Sequence, residues 1–106
     1  MIERTIAHEL LAQLKEFPIV TVLGPRQSGK TTLARMVMPD FDYVSLEDPD
    51  TRRIAEEDPK ALLKRHGQKT IFDDIQRAPH LLSYLQGLVD EVGVNGQYVL
   101  TGSHQL

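Results

Sequence analysis

Residues 24–31 read Gly-Pro-Arg-Gln-Ser-Gly-Lys-Thr, and this stretch restricts the folds open to the chain more than any other. Before it, IVTVLG at 19–24 is rich in β-branched residues and almost free of polar interruption. That is the pattern of a strand buried on both faces of a parallel sheet. After it, Leu33 and Val37, then Ala34 and Met38, pair four residues apart until Pro39, which predicts a helix opening at Lys30. A strand that passes through a tight loop into a helix is half of a crossover unit, and crossover units build parallel sheets.

The loop meets G-x-x-x-x-G-K-[ST] at every fixed position and has the strand and helix that give the pattern its meaning. At average composition the four fixed positions co-occur by chance in a chain this long on the order of a few times per thousand. The two glycines let the backbone wrap with its N–H groups pointing inward, and the helix N-terminus adds partial positive charge, so the cavity suits a phosphate. The expected ligand is a nucleoside triphosphate with its metal, held by Gly24, Pro25, Arg26, Gln27, Ser28, Gly29, Lys30, Thr31 and Thr32. Lys30 is expected at the β- and γ-phosphates as a binding and catalytic group, and the Thr31 hydroxyl at Mg²⁺. Arg26 and Gln27 occupy variable positions and read equally as solvent-facing.

A second magnesium ligand should end another strand of the same sheet, and Asp73 in TIFDDI at 70–75 has that setting. Asp74 follows as the group to activate the attacking water; the alternative is a helix cap or a solvated acid. QYVLTGS at 97–103 is the last predicted strand, and Ser103 or Thr101 at its C-terminal end is placed to sense the γ-phosphate, unless the two simply form a polar turn.

The remaining chain supplies alternating strands and helices. Ile6, Leu10 and Leu14 mark a leading amphipathic helix over 4–16, and DYVSL at 42–46 a second strand. Asp48-Pro49 and Asp58-Pro59 each place a carboxylate cap before a first-turn proline, predicting two short helices, with Gly67 closing the second. Leu81, Leu85, Leu88 and Val92 form the stripe of a further helix stopped by Gly93. Arg52 and Arg53 precede Glu56 and Glu57 by four residues, the spacing of surface ion pairs.

Length and composition agree with one soluble α/β domain over 1–106. The chain has 106 residues, 41% hydrophobic and 25% charged, with zero cysteines, so disulfide and thiolate chemistry are excluded. A net charge of −3 gives no global attraction to nucleic acid. Without a signal peptide or membrane-spanning run, a cytoplasmic location is expected. The four histidines lack metal-binding spacing, which argues against structural zinc.

GPRQSGKTTLAR, YVSLEDPDTRRIAEEDPKALL, DDIQRAPHLLSYLQGLVDE and LTGSHQL together resemble a family of prokaryotic ATPases within the AAA-like P-loop group. The resemblance runs over nearly the whole chain. It implies a three-layer α/β fold with strand order 1-4-3-2, helices on both faces and ATP with Mg²⁺ as ligands, and it carries Lys30 and Thr31 as phosphate and magnesium contacts, Asp73 as second metal ligand and Ser103 or Thr101 as sensor. Where that family has Asp-Glu, this chain has Asp73-Asp74, so the carboxylate expected to activate water is one methylene shorter. A misplacement of about 1 Å costs on the order of a hundredfold in rate. Such proteins continue past the strand like YVLTGS, so this chain reads as truncated, without a fifth strand beside the first.

The functional expectation is an ATP-binding, magnesium-dependent protein with weak or absent hydrolysis. The alternative is a non-catalytic interaction or assembly module that keeps the fold. An uncovered first strand is an exposed pairing edge, which raises homodimerisation through that edge. The loop does not distinguish adenine from guanine; the missing NKxD stretch and the resemblance favour ATP.

Overall fold

The structure is a computed structural model that describes residues 2–23, 30–66 and 69–102, with the side chains of 2–6, 30, 31 and 92 outside that description. Chain order is α1 (Ile2–Glu16), β1 (Ile19–Leu23), α2 (Lys30–Val37), β2 (Asp42–Ser45), α3 (Pro49–Glu57), α4 (Pro59–His66), β3 (Thr70–Asp73), a 3₁₀ turn (Ile75–Arg77), α5 (Pro79–Val92) and β4 (Tyr98–Gly102). Among the described residues no helix is long and apolar enough to cross a membrane.

The four strands form one parallel sheet in the order β1-β4-β3-β2, as the crossover reasoning and the resemblance implied. Strand side chains alternate between faces, and the two faces carry separate cores. On one side Val20, Ile71 and Val99 meet Leu10 of α1 and Ala34 of α2. On the other Val44, Phe72 and Leu100 meet Ala55 of α3, Leu62 of α4 and Leu81, Leu85 and Val89 of α5. The result is a three-layer α/β sandwich with helices on both faces.

Local signals explain most boundaries. The Asp48 carboxylate accepts from Thr51 N at 3.0 Å and that of Asp58 from Ala61 N at 3.2 Å, so both aspartates cap the helices that follow. Gly93 ends α5 in the left-handed region at φ 67°, its N–H bonded to Val89 O. Gly96, at φ 72°, brings the chain so close to α1 that a Cβ there would lie 3.0 Å from Leu14 O. Gly67 lies outside the described residues.

Two boundaries differ from the sequence reading. The strand expected over 70–75 ends at Asp73, because Asp74 turns into the left-handed region at φ 63°, ψ 48° and the chain enters the 3₁₀ turn. The last strand covers 98–102, with Gln97 held before it by a bond from its N–H to Pro18 O at 3.0 Å. In α5 the buried stripe runs Leu81, Leu85, Val89, with Leu88 half-buried; Val92 lies outside the side-chain description.

Candidate functional site

The C-terminal ends of the parallel strands are where α/β sheets bind ligands. β1 ends at Leu23 and α2 begins at Lys30, so the helix leaves the same edge of the sheet at which β3 ends in Asp73. Lys30 and Thr31 open the first turn of α2, a turn without an acidic residue, and Thr32 follows on its exposed side. Gly24, Pro25, Arg26, Gln27, Ser28 and Gly29 lie outside the described residues, as does Ser103.

Asp73 shares the sheet face that carries α1 and α2. The register aligns Ile71 with Val99 and with Tyr43, and two residues further on Asp73 with Ser45. Its half-buried carboxylate is gripped from both sides. Thr101 Oγ1, on β4, donates to Asp73 Oδ1 at 2.6 Å, and Tyr43 Oη, on β2, donates to Asp73 Oδ2 at 2.9 Å. Burial, followed by the bond to Asp73 and that carboxylate's charge, pushes the Tyr43 phenol up to about 12, so it stays a protonated donor at neutral pH.

The structure therefore joins Asp73 and Thr101, both singled out in the sequence, in a single hydrogen bond. The Thr101 hydroxyl, fully buried, is committed to the carboxylate beside it. Tyr43 was not singled out. It lies one pleat repeat from Asp73 on the neighbouring strand, and only the strand register reveals that they meet.

Asp74 is held elsewhere. Its Oδ1 accepts from Gln76 Nε2 at 3.3 Å and its Oδ2 lies 3.8 Å from Arg77 Nε, while the residue is only 8% exposed. Asp74 takes the N-cap position of the 3₁₀ turn, although its side chain makes no cap bond, and it is buried rather than solvated. Behind it, Gln76 Oε1 is buried against Gly102 without a hydrogen-bond partner among the described residues.

The arginines of α3 stay at the surface. Arg53 Nε lies 3.9 Å from Glu57 Oε2, both well exposed. Glu56 instead accepts the His80 N–H at 2.8 Å, capping α5 where Ala78 offers no side-chain cap.

Comparison with known proteins agrees with this geometry. A family model described as an AAA domain matches residues 16–106. Uncharacterized proteins of Mycobacterium bovis and Mycobacterium tuberculosis are each 34% identical over 103 residues, covering 94% of this chain and 23% of the relative. The chain thus spans about a quarter of the length of the curated relatives it matches. No solved structure matches it. With a parallel 1-4-3-2 sheet and a family match over most of its length, the chain belongs to the AAA domain family of P-loop, ATPase-like nucleotide-binding proteins.

Proposed function

We propose that the domain formed by residues 1–106 binds ATP with Mg²⁺ at the loop 24–29 and the start of α2, and hydrolyses it slowly or not at all. The observation that carries this reading is the placement of the Asp73 carboxylate at the C-terminal edge of the sheet, on the face of α2.

The donor set fits the ion. Mg²⁺ takes hard oxygen ligands and is commonly held by one or two carboxylates plus substrate phosphates, keeping several waters. Asp73 accepts from two hydroxyls and so presents an acceptor-only carboxylate. In this reading Thr31 and Asp73 hold the ion, and Lys30 and the backbone of 24–29 bind the phosphates. When bound, the ion neutralises charge on the phosphate oxygens. Ser103 would contact the γ-phosphate, and Asp74 would accept the proton that water gives up as its oxygen bonds to the γ-phosphorus and ADP leaves.

Slow hydrolysis follows from Asp74. It is one methylene shorter than glutamate, and Gln76 and Arg77 both engage its carboxylate. A general base must come within hydrogen-bond reach of the water it activates.

The test is isothermal titration of the chain with ATP and magnesium beside Lys30→Ala. Micromolar binding that Lys30→Ala abolishes supports the reading. A folded chain that takes up no ATP overturns it. Turnover approaching about 1 per second, the low end of ordinary enzymes, overturns the slow-hydrolysis part.

The second reading, assembly through β1, has one observation in its favour. β1 pairs with β4 alone among the described strands, and Leu23 and Phe17 beside it are 48% and 51% exposed. Self-association through that edge predicts a dimer by light scattering that Leu23→Lys dissociates, with ATP affinity irrelevant to assembly.

A further inference from the structure

We propose that Tyr43 is a positioning residue for Asp73, so that the edge strand β2 sets the aim of the carboxylate that takes magnesium. The proposal rests on the magnesium–ATP reading above.

Register and reach make the contact specific. Tyr43 is aligned with Ile71, and Ser45 with Asp73, so Tyr43 sits one pleat repeat behind the carboxylate on the same face. An offset of two residues between neighbouring strands is a gap that a long aromatic side chain spans and a serine or threonine does not. The phenol spans the gap and donates to Oδ2 at 2.9 Å.

Thr101 takes the other oxygen from the opposite strand. Two donors on opposite sides fix the plane of the carboxylate, since rotation about its last bond would break both. Hydrogen bonds to a ligating carboxylate orient it and adjust its basicity, and their loss typically costs 10–100-fold in metal affinity.

The ring is itself held. The Arg35 guanidinium lies 4.4 Å from the Tyr43 ring centroid, a cation–π distance. Arg35 is on α2, the helix that opens with Lys30 and Thr31. The helix that carries the phosphate contacts is thereby linked through Arg35 and Tyr43 to the metal carboxylate on β3.

The experiment titrates ATP into the full chain by calorimetry, with EDTA and over a range of magnesium concentrations. Tyr43→Phe keeps the ring and removes the donor. The expected result is an increase of about tenfold or more in the magnesium concentration needed for half-maximal tightening. ATP affinity in EDTA should change by less than about twofold, because phosphate binding alone does not use Asp73. A merely structural role for Tyr43 would move both affinities together or neither.

Arg35→Gln, a change at the surface, should shift the magnesium midpoint in the same direction by about threefold, in keeping with the strength of exposed cation–π contacts, and provides the test should Tyr43→Phe fail to fold. Unchanged magnesium midpoints in the folded variants overturn the positioning role while leaving the nucleotide reading intact. An unmodified chain whose ATP binding ignores magnesium overturns the magnesium reading and this proposal with it.

Discussion

Thr101 Oγ1 lies 2.6 Å from Asp73 Oδ1, so the last strand of the sheet supports the acid that ends the strand beside it. Thr101→Val keeps the shape and deletes the donor, removing one hydrogen bond from a half-buried carboxylate. Such a loss costs about 1–3 kcal/mol. Urea unfolding should show a lower midpoint with an unchanged slope.

Gly102 is a seat for Gln76. A Cβ at residue 102 would lie 2.7 Å from Gln76 Oε1, the end of a flexible side chain. Gly102→Ala should therefore displace Gln76 and break its bond to Asp74 with the backbone in place, at the modest cost of one hydrogen bond, about 0.5–1.5 kcal/mol. Melting with and without Gln76→Ala checks this: with the shorter side chain, most of the penalty should vanish.

Asp74 adopts a backbone conformation that L-residues avoid, at φ 63°. Left-handed geometry costs about 1–2 kcal/mol for a residue with a Cβ, and its weak contacts to Gln76 and Arg77 offset only part of that. Asp74→Gly should raise stability by about 0.5–1 kcal/mol and preserve ATP affinity. If Asp74 accepts the water's proton, residual hydrolysis should fall at the same time. Denaturant melts and a phosphate-release assay read the two effects separately.

Asp48 gives the domain an acid-sensitive cap. The side-chain and backbone hydrogen bonds from Thr51 hold its carboxyl below the usual value. A depressed carboxylate contributes stability that is present above its unfolded value of about 3.9 and is lost as pH falls through the lower folded value. Asp48→Ala should melt earlier than the parent at pH 6, and the gap should close as the pH is taken from 4 towards 2. A gap that does not change with pH would sink this account.

Much of the fold could be read from local chemistry. β-branched runs marked the strands, Asp-Pro pairs marked α3 and α4, and Gly93 marked the end of α5. The motif at 24–31 and Asp73 gave the site its first outline. What the sequence did not disclose depends on neighbours distant along the chain. Asp74 leaves the strand expected over 70–75 by turning into the left-handed region, where its carboxylate meets Gln76 and Arg77. Glu56 abandons the expected pairing with Arg52 to cap a helix more than twenty residues away. Tyr43 becomes visible only when β2 is set beside β3 in register.

β1 and β4 lie side by side, Ile19 opposite Tyr98, although they are on the order of 80 residues apart in the chain. At the pace of ribosomal synthesis, about 5–20 residues per second, the first strand emerges roughly 4–16 s before its sole described neighbour. Val20 and Val22 spend that interval without the sheet that buries them. The acid at the end of β3 likewise lacks its threonine until β4 arrives. A nascent chain therefore holds residues 24–31 and Asp73 well before β4 arrives to bridge β1 and β3.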